Sequence, residues 1–186
     1  MITEDIRKRQ SEVQKSGEEL ENFIKEFVNK KLTEKKSRIK IIKGKEVAKN
    51  SNLWNKLAIP VGKSGSQKIW GDIDLVAIDE NENPLAVISC KVSLHGRFSE
   101  TLFYAVILKN MIKDLKVVFA TYDKGRQQKT EKWQSELGSE ENPTKDRLLG
   151  SHYLDGIYVF NEKTKLGGMV KPLEELPNDL IKWFEQ

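Results

Sequence analysis

Hydrophobic positions fall along this chain in two periods. Between Gly17 and Leu32, Leu20, Phe23, Ile24, Phe27 and Val28 recur at three- and four-residue spacing, which places them on one face of a helix. From Asp72 to Ile78 the period is two, so Asp72, Asp74, Val76 and Ile78 share one face of an extended segment. Residues 85 to 91, LAVISCK, read as a second strand, and the polar run Asp79 to Pro84 as the turn of an antiparallel hairpin. A symmetric hairpin sets Ile78 opposite Leu85, Asp74 opposite Ser89 and Asp72 opposite Lys91. Ser99 is placed to cap a helix running to about Lys113, with Leu102, Phe103, Val106, Ile107 and Met111 as its apolar side. The run Leu115 to Thr121, LKVVFAT, reads as a central strand buried on both faces. Residues 123–137 read as a polar helix, Gly138 to Pro143 as a breaker-rich loop, Gly156 to Phe160 as a strand, and Leu173 to Phe184 as a short amphipathic helix. This order predicts an α/β fold, a mixed central β-sheet flanked by helices.

Composition narrows the picture. A chain of 186 residues that is 38% hydrophobic suits a single domain, here a core over 17–186 behind an N-terminal extension of residues 1–16. One cysteine, Cys90, excludes an intrachain disulfide. Between Ser89 and Lys91 it points to the opposite face, so it reads as packing. The start, MITEDIRKRQSEVQKSG, lacks the apolar core of a signal peptide, and no stretch approaches membrane-spanning length, so a cytoplasmic location is expected. No Gly-rich phosphate loop or zinc-ligand spacing occurs, and no small-molecule cofactor is expected.

The hairpin carries the candidate chemistry. Asp72, Asp74, Ser89 and Lys91 form one compact polar group among Val, Ile and Leu. Carboxylates held together attract a hard cation such as Mg²⁺, which takes oxygen ligands and retains waters and phosphate oxygens. A lysine beside them supplies the complementary charge for attack of water on a phosphodiester. With DIDL on one strand and Ser89-Cys90-Lys91 on the next, the hairpin resembles the PD-(D/E)XK nuclease superfamily, whose core is restriction-endonuclease-like. The departure is Ser89, where that superfamily usually has an acid.

The resemblance implies that the missing carboxylate comes from the helix after the lysine, where Glu100 is the candidate metal ligand. The other reading of Glu100 is an acid favoured by the helix dipole. Glu21, in GEELENFIKEF, matches a first-helix glutamate that approaches the metal in such nucleases. An ordinary solvated glutamate at the edge of an apolar stripe fits the same position. His95, in the turn after Lys91, is a candidate for proton transfer or contact with the scissile phosphate. Arg97 suits a phosphate through its planar guanidinium, or anchors the loop.

The net charge of +4 is unevenly spread, with nine Lys or Arg against two Glu between Lys30 and Lys49. Lys36, Arg38, Lys40 and Lys43 in this run are candidates to follow a DNA backbone. A solvated helix end and loop explains them equally.

The longer run SCKVSLHGRFSETLFYA is similar to the small subunit of heterodimeric type IIS restriction endonucleases. That resemblance implies double-stranded DNA as substrate, Mg²⁺ as cofactor, and a larger partner subunit that reads the site and nicks the other strand. A repair or junction-resolving nuclease, and a non-catalytic DNA-binding protein that keeps the nuclease fold, are the alternatives. Activity is expected to depend on Asp74 and Lys91 and folding is not, because they belong to a site built for a cation; Asp74→Ala is even expected to relieve some repulsion with Asp72.

Overall fold

The computed structural model describes residues 17–94, 97–126 and 133–185. Helix α1 (Gly17–Glu34) leads into strand β1 (Lys40–Lys43) and two short helices, α2 (Gly44–Val47) and α3 (Ser51–Leu57). Strands β2 (Ile59–Val61) and β3 (Gln67–Ile69) make a separate hairpin. Strands β4 (Leu75–Ile78) and β5 (Pro84–Lys91) make the larger one. Then come α4 (Phe98–Met111), β6 (Lys116–Thr121), α5 (Lys145–Tyr153), β7 (Gly156–Val159), β8 (Val170–Pro172) and α6 (Leu176–Phe184). The main sheet runs β1-β4-β5-β6-β7-β8, antiparallel as far as β5 and parallel beyond it. It is the mixed sheet the sequence predicts.

Alternation along β5 splits the core into two layers. Val87 packs with Leu53 and Leu57 of α3 and Phe98 and Leu102 of α4. Ala86, Ile88 and Cys90 pack on the other side, against Leu20, Ile24 and Val28 of α1 and Leu176 and Leu180 of α6. Helix α6 is further pinned by a buried polar contact, in which the Tyr158 hydroxyl (2.6 Å) and the Lys171 ammonium (2.7 Å) both donate to Asp179. Burial and the neighbouring Asp179 hold the Tyr158 phenol far above its ordinary pKa.

The larger hairpin has the symmetric register, with Leu75 opposite Ile88, Val76 opposite Val87 and Ala77 opposite Ala86. An irregularity after Ala77 then pairs Ile78 with Pro84 instead of Leu85. The regular strand begins only at Leu75, so Asp72 and Asp74 lie in the segment that enters it.

Three other expectations are corrected. The described parts of 123–137 are not helical, because the buried Asp123, at φ 52°, accepts the Glu136 amide (2.8 Å) and the Ser135 (2.5 Å) and Thr164 (2.7 Å) hydroxyls. Side-chain bonds of this kind compete with the helical ladder. The helix forms instead from Lys145, capped by Thr144, whose hydroxyl accepts the Arg147 amide (3.3 Å). Helix α4 begins at Phe98 with Arg97 at the cap position and no side-chain cap, so Ser99 is not the cap. Within the basic run 30–49 lies β1, whose Ile41 is fully buried. The extension 1–16 lies outside the described residues.

Candidate active site

Asp72, Asp74, Ser89 and Lys91 come together at the C-terminal end of β5. The Lys91 ammonium stands 2.9 Å from Asp72 and 2.9 Å from Asp74. Its side chain is only 9% exposed, against 21% for Asp72 and 14% for Asp74. Burial works to lower the Lys91 pKa, but Asp74 and Asp72 together outweigh it and hold the group above an ordinary lysine. The ammonium therefore stays charged at neutral pH, and its contribution to stability is lost only as pH rises through that raised value.

Each aspartate does a different task. Asp74 Oδ2 accepts the Cys90 backbone amide (2.6 Å) as well as Lys91, with Ser89 Oγ at 3.5 Å. It therefore closes the hairpin end as well as facing the site. The expectation that Asp74→Ala leaves folding untouched is corrected on this point: alanine strands the Cys90 amide and half of the Lys91 charge. Asp72 presents both oxygens to the ammonium at 2.9 Å, but only Oδ1 meets it with hydrogen-bond geometry. Oδ2 is buried and accepts no hydrogen bond among the described residues. Its charge is met by the Lys91 ammonium, 2.9 Å away.

Ser89 is 1% exposed, and its hydroxyl lies 3.0 Å from that of Thr101 on α4. Helix α4 thus turns Thr101 towards the site, while its neighbour Glu100 is exposed on the solvent side. The reason is the face that α4 buries, Phe98, Thr101, Leu102, Ala105 and Leu108, which leaves Phe103 60% and Val106 41% exposed. Cys90 points into the core as expected, and burial, reinforced by Asp74, pushes its thiol well up.

Glu21 is on α1, in the layer that packs on the Cys90 side of the sheet. It is partly buried on α1, and desolvation first, then the charge of Asp74, raises its pKa, with Lys43 and Lys91 acting in the opposite direction. Lys43, 7% exposed, is a member of this environment that sequence reasoning treated only as part of a basic run. It pairs with Leu75 in the β1–β4 ladder and lies 3.5 Å from Glu18.

The other basic candidates do not join it. Lys40 pairs with Ile78 at the far end of the same ladder, a separation of about 10 Å along the strand. Arg38 bonds Glu80 (3.4 Å) and its amide bonds Glu185 (2.8 Å), while Lys36 sits exposed in the turn after α1. The strand sets Lys40 and Lys43 at opposite ends of the β1–β4 ladder. Arg97 is exposed at the start of α4, and His95 lies outside the described residues.

Among the described residues no three His, Cys, Asp or Glu side chains stand together as a metal cage. Two acids, Asp72 and Asp74, meet at Lys91.

Residues 36–179 match the family described as BsaWI restriction endonuclease type 2. No curated protein sequence matches the chain. Among solved structures, the chain is similar to the specific restriction endonuclease AgeI in complex with DNA, at 18% identity and a TM-score of 0.68, over 94% of this chain and 69% of that one. That likeness is one of fold.

Proposed function

We propose, for a chain that belongs to the BsaWI restriction endonuclease type 2 family, Mg²⁺-dependent hydrolysis of one DNA strand in company with a larger, site-recognising subunit. Membership makes the protein a type II DNA endonuclease, with DNA as substrate. The cation, the single-strand cut and the partner are the finer reading. What supports the cation is the pair of carboxylates, Asp72 and Asp74, that share the Lys91 ammonium at 2.9 Å each, with Asp72 Oδ2 ion-paired but not hydrogen-bonded.

That donor set fits Mg²⁺, which binds through one or two carboxylates and fills its remaining positions with waters and substrate phosphate oxygens. Asp72 and Asp74 would hold it. When bound, such a cation supplies an activated water and neutralises charge on the leaving oxygen. The residues of the chain do the rest. Lys91, kept protonated by its two aspartates, donates towards a phosphate oxygen or the attacking water. Ser89 and Thr101 hold each other and leave the carboxylates as acceptors. Glu21 supplies a third carboxylate within electrostatic reach.

What supports the partner is the run SCKVSLHGRFSETLFYA, which resembles a restriction small subunit. A small catalytic chain then grips DNA mostly through phosphates, without reading sequence. A duplex labelled on each strand and incubated with Mg²⁺, with and without the larger subunit, is the test. One strand is expected to be cut at a fixed position only when both proteins are present. Site-specific cutting by this chain alone would contradict the subunit reading.

Glu21→Gln separates a ligand from a bystander. Because its folded pKa is raised, Glu21 contributes stability only in acid, and that contribution is lost as pH rises through the raised value. Glutamine should therefore leave the neutral-pH melting temperature unchanged or higher. Cleavage should nonetheless fall by about ten- to hundredfold, as for groups that orient a metal site. Wild-type cleavage by this variant would remove Glu21 from the site.

A further inference from the structure

Only the base of the small β2–β3 hairpin touches a core layer, through Ile59 and Val61. From Gly62 through Ile69 every residue is exposed. Its base, by contrast, is fixed. Ile59 is 5% exposed, Trp70 stacks on Trp54 with ring centroids 5.2 Å apart and planes at 16°, and a Cβ on Gly71 would lie 2.8 Å from the Tyr104 ring of α4. The chain then passes from Gly71 directly into Asp72. A rigid root therefore couples an exposed ribbon to the carboxylates.

Charge says what the ribbon meets. From Val47 to Gly71 there is no Asp or Glu, against four lysines: Lys49, Lys56, Lys63 and Lys68. Lys56 turns away to Asn83 (2.8 Å) in the β4–β5 turn. Lys63 and Lys68 lie on the ribbon itself. Lys68 touches only the neutral Asn55 oxygens, both at 3.3 Å, and among the described residues neither ammonium has an acidic partner. Between them the tip is built from Ser64, Gly65, Ser66 and Gln67, with Gly62 (φ 81°), Ser64 (φ 68°) and Gly65 (φ 66°) left-handed. Such a surface offers hydrogen-bond donors and unpaired positive charge, with Ile69 its one large exposed apolar residue. A protein partner would ask for more apolar area.

We propose that this hairpin is a DNA-gripping arm: Lys63 and Lys68 bind backbone phosphates flanking the one that is cut and hold the strand over Asp72 and Asp74. The arm's role rests on the DNA-endonuclease reading and deepens it. Three-residue strands reach about 10 Å from their root, close to the width of a major groove, about 12 Å.

The test is a salt titration of binding. The full chain and its Lys63→Ala/Lys68→Ala variant are titrated onto a fluorescently labelled random-sequence duplex, with Ca²⁺ replacing Mg²⁺, over a range of NaCl concentrations. Every phosphate that a lysine no longer neutralises reduces the slope of log K against log salt by about 0.9, so the double variant should be shallower by about 1.8. Its melting curve should match the wild type, as expected for two exposed lysines. An unchanged slope in the variant, with normal wild-type binding, overturns the arm alone. A wild-type chain that binds no duplex on its own overturns the arm as well, while the endonuclease reading is judged separately, by strand cleavage with the larger subunit present.

Discussion

Asp74→Asn should reduce strand cleavage roughly a thousandfold, about 4 kcal/mol of barrier, with the fold intact. Asparagine is the informative substitution because it keeps an oxygen for the Cys90 amide, which Asp74 accepts at 2.6 Å. Only the charge is removed. With it go half of the Lys91 ion pair, at 2.9 Å, and one of the two carboxylates offered to a cation. Asp74→Ala should lose as much activity but also melt earlier, since a buried amide left without an acceptor costs about 1–3 kcal/mol. The comparison is made by plasmid cleavage and thermal melting of both variants. Activity within tenfold of wild type in the asparagine variant would show that the chemistry lies elsewhere.

Gly44→Ala should damage the site from a distance. Gly44 follows β1, and its amide donates to the Asp74 carbonyl at 2.8 Å. A Cβ there would stand 2.0 Å from the Ile73 carbonyl oxygen and 3.4 Å from that of Asp74. Backbone must move, and the backbone that moves carries both aspartates. Overpacking of this kind costs about 1–3 kcal/mol, and a displacement near 1 Å costs roughly a hundredfold in rate. Gly17→Ala is the control, since nothing lies within 4 Å of a Cβ there. A Gly44→Ala protein with wild-type melting and wild-type cleavage would contradict the tight coupling of β1 to the aspartates.

Local periodicity made much of this molecule legible. The stripe Leu20, Phe23, Ile24 and Val28 is buried on α1, LKVVFAT supplies the central β6, and the tail forms α6. The hairpin register followed from counting outward from a polar turn, and it brings Asp74 to Ser89 and Asp72 to Lys91. What failed were inferences that equated apolar with buried. Helix α4 exposes Phe103 and Val106 and buries Thr101, so a wheel drawn through the large apolar residues turned Glu100 towards the sheet.

Other features depend on partners distant in sequence. The non-helical path of residues 133–137 is held by Asp123 and, through Glu136, by Ser93 (2.8 Å) and the Leu94 amide (2.9 Å). No local pattern announces such a network. Lys43 differs from Lys40 only by its place in β1, and strand position, not residue type, sets it beside Glu18 and Glu21.

The most direct measurement is cleavage of supercoiled plasmid by the wild-type chain with its larger subunit, run in parallel with Lys91→Met and with chelator. Lys91 touches both aspartates. Mg²⁺-dependent breaks in the wild type, with only the partner's nicks remaining in Lys91→Met and no cutting under chelator, is the expected result. Second-strand cleavage that persists in a folded Lys91→Met protein, or in chelator, would contradict the assignment of Asp72, Asp74 and Lys91 as the hydrolytic centre.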